Sequence, residues 1–148
     1  MRLTTFTDYS LRVLIHLASV PGGRSTIGEI ARAFEISEHH LVKVVHFLGQ
    51  EGLLVNTRGR GGGLRLALAP REINVGRVVR ATEVSDVVAE CFDPGKNACV
   101  ISGICRLSGV LREAVAAFHE VLSGYTLEDL VVNRRELAAV LHRHPALQ

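Results

Sequence analysis

Residues 37–68 read SEHHLVKVVHFLGQEGLLVNTRGRGGGLRLAL, and the way this stretch divides decides the fold. Ser37 is a helix-capping residue type, and the thirteen residues after it keep helical periodicity. At about 100° per residue, Leu41, Val44, Val45 and Leu48 fall at i, i+3, i+4 and i+7 and make one apolar stripe. His39, Lys43, His46 and Gln50 cluster on the opposite face, and all four can donate hydrogen bonds. Glu51-Gly52 closes the helix. Two strand-like runs follow, LLVNTR and LRLAL, joined by GRGGG, which is the pattern of a hairpin with a glycine-rich, arginine-bearing turn.

Upstream there are two further helical patterns. Thr7 or Asp8 is placed to cap a first helix whose apolar residues Leu11, Leu14, Ile15 and Ala18 share a face, and Pro21-Gly22-Gly23 ends it. Ser25 or Thr26 caps a second, IGEIARAFE, with Ile27, Ile30, Ala31 and Phe34 on its apolar side, and a short turn through Ile36 leads to Ser37. Helix, turn, helix and a basic-tipped hairpin together describe a winged helix. The third helix then reads as the recognition helix, its apolar back fixed to the domain and its polar front free for phosphates and base edges. Candidate DNA contacts are Ser37, His39, His40, Lys43 and His46 on that helix and Arg58, Arg60 and Arg65 on the wing, where arginine suits phosphates or a narrow minor groove. Taken singly, the helix also fits a solvated face and the glycine-rich turn a flexible hairpin. The combination is what favours DNA.

Composition is consistent with this. A chain of 148 residues with 47% hydrophobic and 22% charged residues is ordinary for a soluble globular protein and can bury a real core. The net charge of +2 hides an asymmetry: residues 1–80 carry eleven Lys/Arg against six Asp/Glu, and residues 81–148 carry six against nine. The basic half calls for an anionic partner, of which nucleic acid is the usual one. Asp8, Arg12 and His16 interrupt the apolar residues of the first segment, and no run of about 18 apolar residues occurs, so a cytoplasmic protein with no membrane partner is expected. No Ser/His/Asp order, no phosphate loop ahead of a helix and no paired carboxylates suggest an enzyme.

All three cysteines fall within CFDPGKNACVISGIC, residues 91–105, spaced C-x7-C-x5-C. Asp93, Pro94, Gly95, Lys96 and Asn97 are turn formers, so the segment reads as a loop able to fold three thiolates around one centre. In a reducing compartment such a cluster points to metal binding or redox sensing rather than a disulfide framework. Zinc sites usually use closely spaced pairs, which are absent here, and soft thiolates suit iron-sulfur clusters. A metal-free thiol switch, a zinc site and three buried free cysteines are the alternatives. After Cys105 the chain reads as one long helix. Leu107, Leu111, Ala114, Phe118, Val121 and Tyr125 alternate spacings of four and three, as in a helix–helix seam, with packing on the chain's own domain as the alternative. Gly124 ends this helix, Thr126 with Asp129 opens a short docking helix, and NRRELAAVLHRHPALQ is a weak amphipathic helix whose His142 and His144 read as solvated.

FTDYSLRVLIHLA, ISEHHLVKVVHFL, EGLLVNTRGRGGGLRLA, INVGRVVRATE and the three-cysteine loop occur in one order over residues 1–130. Together they resemble the Rrf-two-type winged-helix regulators, and within that family the nitric-oxide-sensing iron-sulfur repressors. The resemblance implies a mainly α fold with a small β-hairpin wing, a winged helix-turn-helix plus a long dimerisation helix. The expected division is residues 1–80 as DNA-binding domain and 81–148 as cluster loop, dimerisation helix and docking segment. It further implies a homodimeric repressor that binds double-stranded operator DNA in a manner dependent on a 4Fe-4S cluster, with nitric oxide as signal.

Such a cluster ordinarily takes four cysteines, and this chain offers Cys91, Cys99 and Cys105. One branch of the family has a histidine soon after the third cysteine; here Arg106, Leu107 and Ser108 follow, which argues against that branch and its 2Fe-2S site. The resemblance instead implies an acidic ligand near the N-terminus of the partner subunit, which maps onto Asp8. Asp8 as a carboxylate stabilising the first helix is the alternative, with Glu90 and Asp93 as rival ligands.

Overall fold

The computed structural model describes residues 2–59, 61–83, 87–93 and 95–143. Arg60, Pro94, His144 and the side chain of His142, all assigned above from sequence, lie outside the described residues. Among the described residues, seven α-helices accompany one two-stranded antiparallel sheet, so the chain is mainly helical with a small wing.

Helix α1 spans Thr5–Ser19 and is capped by Thr4, not by Thr7 or Asp8. The Thr4 hydroxyl accepts the Thr7 N–H at 3.2 Å, and the Asp8 N–H donates to the Thr4 carbonyl at 3.0 Å. The helix starts early because its first turn has something to pack. Thr7 is fully buried, and Phe6 meets Phe47 edge-on with ring centroids 5.3 Å apart. Helix α2 (Ile27–Phe34) begins at Thr26 in a reciprocal cap: the Thr26 hydroxyl accepts the Glu29 N–H and the Glu29 carboxylate accepts the Thr26 N–H. That Thr26 N–H, followed by smaller contributions that include the Ser25 hydroxyl, holds the Glu29 carboxyl below the usual carboxylate range against a desolvation that raises it.

Helix α3 spans Glu38–Gln50, as its periodicity predicts. Leu41, Val44 and Leu48 are buried and Val45 is partly so. Ser37 occupies the cap position, although its hydroxyl makes no capping bond and its carbonyl takes the His40 and Leu41 amides instead. Strand β1 (Leu54–Thr57) pairs with β2 (Gly63–Leu66) in the register Leu54↔Leu66 and Thr57↔Gly63, and Leu54 and Leu64 turn into the core while Val55 and Arg65 face out.

Helix α4 (Val75–Thr82) leads to the cysteine segment, and helix α5 (Arg106–Ser123) leaves it. The short α6 (Leu127–Leu130), opened by the Thr126–Asp129 cap, and α7 (Arg134–Arg143) return to α1. Leu127 and Val131 join Val13, Leu14, Leu17, Ile30, Leu41, Leu48 and Leu64 in one core, and Arg134 Nε donates to the Ala18 carbonyl at 2.6 Å. Residues from both sides of position 80 therefore share a single hydrophobic interior, and position 80 itself lies within α4. Among the described residues no helix is long and apolar enough to cross a membrane.

Candidate functional site

The outward face of α3 is polar and open. Ser37, His39, His40, Lys43, His46 and Gln50 are all exposed, while the opposite stripe anchors the helix to α1 and α2. Tyr9 of α1 lies beside His40, ring centroids 6.3 Å apart, and so flanks the first turn of this face. On the wing, Arg58 is exposed just beyond β1 and Arg65 is exposed on β2. The turn between the strands depends on glycine at position 62, where an added Cβ would overlap the Thr57 carbonyl oxygen. Wing and recognition helix are the two elements with which a winged helix meets a duplex, and here both present basic or donor side chains.

Arg65 also has a task inside the protein: its Nη1 donates to the Gly22 carbonyl at 2.7 Å. Arg24, to which the sequence reading gave no role, makes the crossed contact, Nη1 to the Gly62 carbonyl at 2.6 Å. No local pattern marks Arg24, because its partner lies on a different element.

The cysteine segment is a chain of tight turns. Cys91 sits in a short 3-10 turn, Glu90–Phe92, Cys99 donates its N–H to Asn97 Oδ1 at 3.1 Å, and Cys105 is the residue at which α5 begins. The Glu90 carboxylate accepts the Ala98 N–H at 2.7 Å and spans the loop, and Asp93 accepts the Gly95 N–H at 2.9 Å. Arg112 of α5 lies 5.3 Å from the centroid of the Phe92 ring and bonds Ser108 at 2.9 Å, which fixes the first part of the loop to the helix.

All three thiols are uncommitted and partly exposed. As donors they fit an iron-sulfur cluster, which takes soft thiolate ligands. Among the described residues, however, no three His, Cys, Asp or Glu side chains stand together as one metal centre in this conformation. Asp8 lies in the first half of α1 and is bound to Arg12, Oδ2 to Nη2 at 2.9 Å and Oδ1 to Nε at 3.2 Å, with 44% of its side chain exposed. Each of the three candidate oxygen ligands, Asp8, Glu90 and Asp93, thus already accepts a hydrogen bond.

Apolar side chains crowd the exposed surface around the loop. Val100 and Ile104 are 98% and 86% exposed, and on α5 Leu107, Val110 and Val121 are each about 60% exposed. Of the seam residues expected from spacing, Leu107, Ala114, Val121 and Tyr125 face solvent, whereas Leu111 and Phe118 are half-buried.

A helix-turn-helix and a wing, both with donor-rich outer faces, are the architecture of winged helix-turn-helix DNA-binding regulators. The chain belongs to the Rrf2 family, described as an iron-dependent transcriptional regulator, which matches residues 3–133. It is 52% identical over 142 residues, covering 95% of this chain and 97% of the relative, to the HTH-type transcriptional regulator NsrR of Bacillus subtilis (strain 168). It is 43% identical over 141 residues to Protein aau3 of Rhizobium meliloti (strain 1021), with 95% and 92% of the two chains covered. Among solved structures it resembles the oxidised form of Staphylococcus aureus CymR, with TM-score 0.70, 26% identity and 89% and 97% coverage. It also resembles T. potens IscR, with TM-score 0.71, 26% identity and 92% and 90% coverage.

Proposed function

We propose that this regulator is a homodimeric repressor that senses nitric oxide through a 4Fe-4S cluster held by Cys91, Cys99 and Cys105, with the partner subunit's Asp8 as fourth ligand. The observation that carries the reading is the set of three uncommitted thiols in one turn-rich loop, within a chain that matches an iron-dependent regulator family over residues 3–133. Bound there, the cluster would supply an iron whose weak oxygen ligand leaves it open to nitric oxide. The protein's own residues do the rest. Glu90 spans the loop, Arg112 holds Phe92 and so the loop to α5, and α5 in turn lies against α4 of the reading head. The outward apolar residues Leu107, Val110 and Val121 suit α5 as the dimer helix, since exposed apolar patches of this kind mark association surfaces.

The test is anaerobic. Purified protein should be coloured, contain iron and sulfide, and retard operator DNA, and stoichiometric nitric oxide should bleach the absorption and release the DNA together. Protein with zinc in place of iron, or colourless protein whose DNA binding follows thiol oxidation alone, would instead favour a zinc site or a thiol switch.

On the DNA side, the same reading assigns backbone contacts to Lys43 and Arg58, both exposed, and base reading to His39, His40 and His46. Lys43→Ala and Arg58→Ala are each expected to weaken binding to all sequences about equally and to reduce the salt slope by about one phosphate. Fluorescence anisotropy across a salt series reads both quantities, and unchanged affinity in both variants would remove this face from consideration. Dimeric binding also requires two half-sites about one helical turn, roughly 34 Å, apart.

A further inference from the structure

A two-stranded hairpin with four residues per strand is marginal alone, so something must hold this wing at a fixed angle to α3. The segment Gly22–Ser25 does so. Ser25 adds a bridge to β2, donating its N–H to the Leu64 carbonyl at 3.1 Å and accepting the Leu64 N–H at 2.8 Å. Its hydroxyl donates to Glu29 Oε2 at 3.0 Å and lies 3.0 Å from His16 Nε2, so the bridging residue is anchored to α1 and α2 together. The two crossed arginine contacts, Arg24 to the Gly62 carbonyl and Arg65 to the Gly22 carbonyl, then tie the far end of the wing to the same segment. The approach is close: a Cβ at Gly63 would lie 3.0 Å from the Ser25 carbonyl oxygen and 3.3 Å from Arg24 Cγ.

We propose that Arg24 is a positioning residue for the wing, acting on DNA affinity through Gly62 and the placement of Arg58 and not by contacting DNA itself. The proposal rests on the reading that the wing meets DNA. A charge-assisted bond from guanidinium to carbonyl is among the stronger hydrogen bonds available to an exposed side chain, and here it ends on the turn that carries the wing's basic residues. Arg24 is exposed, so its replacement leaves the core intact.

The experiment is a double-mutant cycle on the full-length protein with operator DNA, using wild type, Arg24→Ala, Arg58→Ala and the double variant, with amide exchange at Gly62 and Leu64 measured on the free proteins. Arg24→Ala should lower affinity roughly tenfold, the size of one lost charge-assisted hydrogen bond. The double variant should bind no worse than the weaker single variant, because a misplaced wing has already lost what Arg58 contributes. Exchange at Gly62 should quicken in Arg24→Ala and stay unchanged in Arg58→Ala. If the two losses multiply, each lowering the salt slope by about one phosphate, with Gly62 exchange unaltered, Arg24 is an ordinary backbone contact and the proposal is overturned. If Arg58→Ala alone leaves affinity untouched, the wing reading fails, and Gly62 exchange in Arg24→Ala still decides whether the wing is held as described.

Discussion

Cys91→Ala, Cys99→Ala and Cys105→Ala are each expected to give a folded, colourless protein whose operator affinity has fallen roughly a thousandfold, toward its non-specific binding. The fold should survive because none of the three side chains belongs to the buried core, which is drawn from α1, α2, α3, the wing, Ile73, α4 and the α6 region. On the proposed reading affinity should fall because a cluster ligated across two subunits would favour one arrangement of them, and with a thiolate gone nothing would select it. Asp8→Ala is the contrasting variant. It breaks the bonds to Arg12, should keep three thiolates and much of the colour, and should alter the rate of bleaching under nitric oxide more than the iron content. Iron and sulfide analysis, thermal melting and operator titration on the same preparations make the comparison. Colourless variants that bind the operator as tightly as coloured protein would separate the cysteines from the switch.

What the sequence disclosed followed from how local the causes were. Helix α3 could be delimited because Leu41, Val44 and Leu48 repeat along a single element, and the wing because its glycines and flanking strands are contiguous. The Thr26 and Thr126 caps were legible for the same reason, each being closed within three residues. The start of α1 at Thr5 is not legible in the sequence because its first turn is held by Phe47, far along the chain, and by the burial of Thr7, a residue whose side chain gives no apolar signal. Arg24 and Ser25 show no local sign of their pairing with the wing, because their contacts run to Gly62 and Leu64, far along the chain. That three thiols fall in one turn-rich loop is legible from spacing and residue type alone. Their arrangement is not, because the turns between them are set by Glu90, Asp93 and Asn97 bonding to nearby amides and not by any periodic pattern.

Gly76→Ala should produce a large loss of stability from one added methyl group, at a joint between two helices. A Cβ at Gly76 would stand 2.7 Å from Ser123 N and 2.8 Å from Ser123 Cα, which is backbone and cannot rotate away. Helices α4 and α5 would have to part, and their separation would loosen the bonds that align them: Asn74 Nδ2 to the Ser123 carbonyl at 2.7 Å, the Val75 N–H to the Tyr125 carbonyl at 2.9 Å, and Arg80 Nη2 to Ser123 Oγ at 2.7 Å. Overpacking of this kind costs about 1–3 kcal/mol, and for a chain of this length that lowers the melting temperature by roughly 3–12 °C. Removing the serine side chain as well, in Gly76→Ala with Ser123→Gly, should restore little, because the obstruction is the main chain of α5. The same joint connects α4 to the helix that begins at Cys105, so, on the proposed reading, the variant should retain iron while the difference in operator affinity between iron-loaded and iron-free protein shrinks. Calorimetry with paired operator titrations measures both effects. A wild-type melting temperature would mean that α4 and α5 do not approach as closely as Gly76 permits, and an unchanged affinity difference would place the coupling between cysteine loop and DNA-reading face outside this joint.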